Sequence, residues 1–201
     1  MATNLDPDAA LMLRVREGDT AAFEALVEKY KQPVFGLVYR HLLDATEAED
    51  VAQNVFLQVF KSARRYRVTA KFSTWLFTIA RNLCLNEIRR RSRHPADSLD
   101  QAAAPDEHEA PRQFEDAKVT PPPDLVLRRE LEAKVEEAIA ALPEKQRTAL
   151  LLCREEELSY EDIAKVVGCS LSATKSLIHR ARETLKEQLK PYLRTGEWNE
   201  P

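Results

Sequence analysis

From Thr20 to Leu43 the apolar residues Phe23, Leu26, Val27, Tyr30, Val34, Leu37, Val38 and Leu42 recur at intervals of three and four. That spacing is the buried stripe of an amphipathic helix, with a bend expected near Pro33. A second helix is predicted after Asp44 or Thr46 through EAEDVAQNVFLQVF, with acids in its first turn where the helix dipole favours them. A basic stretch, SARRYRVTAK, precedes a third helix over roughly Ser73 to Arg91. These helices predict one bundle over residues 10–93.

The pattern then breaks. Residues 92–124 carry six prolines, little apolar periodicity and a net negative charge. Residues 94–124 therefore read as an extended acidic linker. A second bundle is predicted over 125–193. Its opening helix, LVLRRELEAKVEEAIAAL, repeats apolar residues at Leu127, Leu131, Val135, Ala138 and Leu142. Pro143 either ends that helix or starts the next. Only 4 glycines stand against 11 prolines, and strand-like alternation is scarce. The fold class that follows is all-α, two small helical bundles joined by the linker.

Within the second bundle, LSYEDIAKVVGCSLSATKSLIHRARETL (158–185) has the layout of a helix-turn-helix. Ser159 with Asp162 fits a helix N-cap, and Gly168 suits the left-handed residue that ends a short helix. Ser170 then caps a helix whose inner face reads Leu171, Thr174, Ile178, Ala181 and Leu185. At about 100° per residue, Ser172, Ala173, Ser176, Arg180 and Glu183 turn outward, with Lys175 and His179 on the flanks. Small residues with Arg can enter a major groove, and Lys175 and Arg182 can hold phosphates beside it.

Net charge changes the picture. The whole chain carries only −3, yet residues 61–94 hold 10 basic residues against 1 acidic, a net of +9. Residues 1–60 hold 5 against 10, and residues 95–124 hold 2 against 8. A basic block between acidic flanks is an electrostatic footprint for nucleic acid. Tyr66, Phe72, Trp75 and Phe77 are interleaved with its charges. Exposed aromatics can stack on the bases of an opened strand, although Trp75 and Phe77 fit a bundle core better.

Other chemistry is excluded more readily. The four histidines (His41, His94, His108, His179) are scattered, and DEHE at 106–109 lacks metal-ligand spacing, so no catalytic, metal or cofactor site is expected. Cys84, Cys153 and Cys169 form no disulfide framework and read as small hydrophobes. No apolar run approaches the roughly 20 residues needed to span a bilayer. MATNLDPDAALML lacks the pattern of a secretory signal, so a cytoplasmic protein without membrane insertion is expected.

Taken together, the segments resemble the extracytoplasmic-function (ECF) sigma factors of the sigma-70 family, over nearly the whole chain. AFEALVEKYKQPVFGLVYRHL resembles the first helix of the promoter-melting domain, and EAEDVAQNVFLQVF the polymerase-binding helix. AKFSTWLFTIARNLCLNEIRRR resembles the helix that reads the −10 element, and LPEKQRTALLLCREEELSYEDIAKVVGCSLSATKSLIHRAR the domain that reads the −35 element.

The resemblance implies a non-enzymatic transcription initiation factor whose partners are core RNA polymerase and promoter DNA. It also admits an anti-sigma factor. It assigns Asp50, Gln53 and Asn54 to polymerase docking, with Asn54 standing where many members carry Glu. For the −10 element it implies Tyr66, Arg67, Lys71, Arg81, Asn82, Arg89 and Arg90, the loop Tyr66 to Lys71 capturing a flipped base. For the −35 element it implies Lys175, Ser176, His179 and Arg180. Ser172, Ala173 and Thr174 replace a common Gly-Thr-Val, and Leu177 a common Arg, so the −35 preference is expected to be its own. The family's two elements lie about 17 base pairs apart, roughly 58 Å at about 3.4 Å per pair. Residues 92–124 could span about 110 Å fully extended. Two alternatives compete: a stand-alone helix-turn-helix regulator, which leaves the basic block without a role, and a nucleic-acid enzyme such as a recombinase, for which no catalytic constellation exists.

Overall fold

A computed structural model describes residues 6–93, 123–155 and 158–195, with side chains described except at 123–129 and 191–195. Among the described residues there are eight α-helices, one short 3-10 turn and no strand. The linker and the DEHE run lie outside the described residues, except that the second bundle opens at Pro123, two residues earlier than expected.

The first helix, α1 (Pro7–Arg16), was not legible in the apolar pattern. It begins with Asp6 as N-cap and Pro7 at its first position, which loses nothing by lacking an N–H there. Ala9 and Met12 are fully buried against the helices that follow. α2 (Thr20–Leu42) is capped by Asp19, whose side chain accepts the Ala22 N–H at 3.0 Å. Pro33 lies inside α2, and the helix runs through it unbroken. Leu43 ends it in the left-handed region, φ 58°. α3 (Ala45–Ser62) starts at Asp44, which accepts the Glu47 N–H, and runs into the 3-10 turn Ala63–Arg65. A loop then leads to α4 (Phe72–Arg93). Leu26, Val34, Val38, Val55, Val59, Phe72, Leu76 and Phe77 fill the space between these helices.

In the second bundle, α5 (Pro123–Ala141) ends before Pro143, which is the N-cap of α6 (Glu144–Leu152). Pro143 therefore does both of the things left open by the sequence. α7 (Tyr160–Val167) has a full capping box: Ser159 Oγ accepts the Asp162 N–H and the Asp162 carboxylate accepts the Ser159 N–H. Gly168 closes it at φ 70°, and nothing lies within 4 Å of where a Cβ would sit, so the demand for glycine is conformational. Ser170 Oγ accepts the Ala173 N–H at the start of α8 (Leu171–Thr195). Leu142, Leu152, Ile163, Ile178 and Ala181 are buried between α6, α7 and α8.

The two bundles pack on each other, α4 against α7 and α2 against α5 and α6, and their buried side chains form one continuous apolar cluster. Cys84 lies inside it, and burial pushes its thiol up to about 12. Cys153 and Cys169 are only half-buried, which corrects the expectation that all three cysteines are core. Their sulfurs sit beside Arg182 and Lys145 respectively.

Candidate nucleic-acid interface

α8 shows how the sequence builds an exposed polar face opposite a buried one. Thr174, Ile178 and Ala181 point into the bundle and are almost fully buried. The helix turns about 100° per residue, so Lys175, Ser176, His179 and Arg180 must face away. All four are exposed. The Ser176 hydroxyl donates to the Ser172 carbonyl one turn earlier. Leu177, the position without the common Arg, is half-buried and packs against the core.

α4 carries a second positive surface. Asn82 and Arg89 are exposed two turns apart on one stripe, and Arg90 is exposed and hydrogen-bonded to Glu87. Arg64, Arg65 and Arg67 are exposed in the turn and loop before α4. Arg91 behaves differently: its guanidinium is held by Glu47 and the Leu42 carbonyl, tying α4 to the α2–α3 junction.

The loop from Tyr66 to Lys71 has a buried floor and an exposed rim. Tyr66 is 5% exposed, with its ring 5.0 Å from Trp75 and 6.4 Å from Phe72. Burial, with Asp6 and Asp8 nearby, raises its phenol to about 12. Tyr66 thus does not offer its ring to solvent. Arg67, Val68, Thr69 and Lys71 do face outward. Phe72 and Phe77 are core, and Trp75 is half-buried on the loop's floor.

Asp50, Gln53 and Asn54 are exposed along α3 while Val51, Val55 and Val59 are buried on its other side. Leu57 and Phe60 continue the same outer face and are each 51% exposed. Large apolar side chains beside carboxylate and amide groups suit a protein partner better than water. A groove of about 310 Å³ runs between α3 and α4, lined by Asn54, Leu57, Lys61 and Arg90 among others.

Two of the candidate −10 residues, the mostly buried Arg81 and the half-exposed Lys71, meet acids of the second bundle. The Arg81 side chain is only 11% exposed and donates to both carboxylate oxygens of Glu144, at 2.8 and 3.0 Å, and to the Val166 carbonyl. Burial alone would raise the Glu144 carboxyl, but the Arg81 hydrogen bond and charge hold it below its usual range. Lys71 Nζ lies 3.4 Å from Asp162. Asp162 is likewise held low, because Ser159 and the charges of Lys71 and Lys165 outweigh its burial. Beside them His41 Nε2 meets the Thr148 hydroxyl at 3.1 Å, and Arg147 donates to the Arg40 carbonyl. Burial, reinforced by the Arg147 charge, depresses His41 to about 4.

The sequence reading missed His41, Glu144, Arg147, Thr148 and Asp162 as partners. The only signal present was an acid at the first turn of α7 and another at that of α6, which helix capping explains equally well. Among the described residues no group of three or more His, Cys, Asp or Glu is placed to hold a metal. No helix there is long and apolar enough to cross a membrane.

Comparison with known proteins matches both halves. Sigma-70 region 2 matches residues 26–94, and Sigma-70 region 4 matches residues 132–185. The RNA polymerase sigma-H factor of Pseudomonas aeruginosa is 41% identical over 189 residues, covering 94% of this chain and 97% of its own. The ECF RNA polymerase sigma factor SigW of Bacillus subtilis is 35% identical over 177 residues, covering 88% and 94%. Among solved structures, the sigma factor RpoE of Bartonella quintana, in complex with the anti-sigma factor NepR, superposes with a TM-score of 0.62 at 25% identity. That match covers 84% of this chain and 96% of the other. Matches over both halves leave no room for a stand-alone helix-turn-helix regulator, and sigma factors are non-catalytic polymerase subunits. The chain belongs to the ECF group of the sigma-70 family, and it directs RNA polymerase to promoters.

Proposed function

We propose the following division of labour within this sigma factor. The bundle over residues 10–93 docks on core polymerase through Asp50, Gln53 and Asn54 and reads and opens the −10 element. The linker over 94–124 spans to the bundle over 125–193, which reads the −35 element through Lys175, Ser176, His179 and Arg180. The single observation that carries this reading is the geometry of α8, whose four candidate residues share an exposed face opposite buried Thr174, Ile178 and Ala181. Basic and hydroxyl side chains on one helix face suit a major groove: the cations neutralise phosphates, and Arg can donate two hydrogen bonds to a guanine edge.

Melting has to offset stacking and pairing of about 1.4 kcal/mol per base-pair step. Arg67, Asn82, Arg89 and Arg90 supply cations and an amide on the surface where an opened strand would lie. Tyr66 acts there as the floor of the loop, with Arg67 and Lys71 as the reaching groups.

The work is placed in the cytoplasm, where RNA polymerase acts. An anti-sigma factor is a further partner, supported by the solved complex of the Bartonella relative with NepR. It would compete for the same surfaces as polymerase and DNA.

Run-off transcription from genomic fragments, with core polymerase plus and minus the purified chain, tests the assignment. Discrete transcripts that need both components and share two spaced elements are expected. Arg180→Ala should then relax base preference in the upstream element only. Relaxed preference in the downstream element instead would overturn the division.

A further inference from the structure

Helix α4 (Phe72–Arg93) starts after Lys71. Its first four N–H groups need acceptors, and the residue at the N-cap position, Lys71, has no acceptor in its side chain. The acceptor comes from 66 residues away: Asp6 Oδ2 receives the Phe72 N–H at 2.8 Å. The other oxygen of the same carboxylate, Oδ1, receives the Asp8 N–H at 3.4 Å as the N-cap of α1. One carboxylate therefore caps two helices.

A second acid of α1 grips the same place. Asp8 is buried, and its Oδ2 accepts from the Tyr30 hydroxyl and from Lys29 Nζ, each at 2.6 Å. The Tyr30 ring in turn packs on Phe72 at 5.5 Å. Phe72 is thus held through its backbone by Asp6 and through its ring by Tyr30. At the other end of the loop, the Tyr66 N–H bonds to the Ala63 carbonyl and the Tyr66 ring is buried. Between these anchors the loop has one backbone bond of its own, Thr69 N–H to the Arg67 carbonyl. Its shape is set mostly from its two ends.

We propose that Asp6 is a positioning residue for −10 recognition, its carboxylate clamping the Phe72 amide so that the rim of the Tyr66–Lys71 loop is held in a shape that accepts the −10 strand. The proposal rests on the reading of that loop as a −10 contact. A hydrogen bond to a charged acceptor is strong enough to bias a short loop, and removing it is expected to cost about tenfold in discrimination.

The test uses full-length variants in holoenzyme, transcribing promoter libraries randomised in the −10 or the −35 element. Asp6→Ser keeps an N-cap for α1, because Ser is a good cap, but its short side chain cannot also reach Phe72. Asp6→Asn keeps an oxygen for the Phe72 amide. Arg67→Ala reports on the loop itself. The expected result is about tenfold weaker −10 discrimination with Asp6→Ser, unchanged −35 preference, and recovery of most of the −10 discrimination with Asp6→Asn. Equal losses at both elements would mean that Asp6 only stabilises the fold, and would overturn the proposal. If Arg67→Ala alters −10 preference and Asp6→Ser does not, the positioning role fails while the loop reading stands. If neither variant alters it, the loop reading fails and the proposal with it.

Discussion

Arg81 and Glu144, 63 residues apart, join the two bundles through a two-pronged ion pair at 2.8 and 3.0 Å. The guanidinium belongs to the helix assigned to the −10 element, and the carboxylate to the bundle assigned to the −35 element. Under the proposed assignment, the two surfaces would read elements roughly 58 Å apart on one promoter. On that reading, promoter engagement is expected to open this pair.

Glu144→Ala should loosen the closed arrangement. Breaking a mostly buried pair leaves Arg81 without its carboxylate and weakens closure by on the order of 2 kcal/mol, discounted for the partial exposure of Glu144. Small-angle scattering of the free chain should report a larger radius of gyration for the variant. An unchanged radius would show that the apolar contacts alone hold the bundles together.

Acidification should destabilise the closed chain in two separable windows. His41 is held neutral, its value depressed to about 4 from 6.5, so the unfolded chain binds a proton that the folded chain refuses. Stability is therefore fully present above pH 6.5 and falls as pH drops toward 4, by about 3 kcal/mol at most. Glu144 and Asp162 are depressed carboxylates, so their contributions persist above their ordinary values and are lost only at lower pH. Urea melts between pH 7 and 4 measure the first window. His41→Gln should flatten it, and an equally steep wild-type and variant profile would assign it elsewhere.

Asn82→Ala should weaken initiation more on duplex promoters than on promoters already opened over the −10 element. Asn82 is exposed on α4, two turns from Arg89. Equal loss on both templates, read as run-off product, would remove Asn82 from strand separation.

On α8, reading and folding should separate cleanly between neighbours. Lys175→Ala should weaken promoter binding at all sequences and reduce the salt dependence by about one unit of slope, as expected for a lost phosphate contact. Ile178→Ala, three residues on, should instead lower stability by about 2–5 kcal/mol, because Ile178 is buried. Filter-binding titrations against salt and denaturant melts distinguish the two. A Lys175 variant that loses stability and keeps its salt slope would move the phosphate contact elsewhere.

Much of the architecture was readable locally. Repeats of three and four in α2 and the Ser159–Asp162 cap of α7 depend on near neighbours. So does Gly168, since glycine enters the left-handed region at a helix end without the Cβ penalty other residues meet. The rotation of α8 that exposes Lys175, Ser176, His179 and Arg180 follows from helix geometry once Thr174 and Ile178 are placed inside. α1 was missed because its stripe is short and weak. Its stability comes from Ala9 and Met12 packing on other helices and from Asp6 and Asp8 bonding across them.

What the chain determined by itself was therefore most of the helices, their inner and outer faces, and a basic block that net charge conceals. What only the tertiary structure decided was which charges are spoken for. Arg81, Lys71 and Arg67 look alike in the sequence, yet Arg81 meets Glu144, Lys71 nears Asp162, and Arg67 faces outward. Periodicity encodes which way a side chain points from its own helix. The partner it meets lies tens of residues away, and only the packing of the two bundles and of α1 brings those residues within hydrogen-bonding reach.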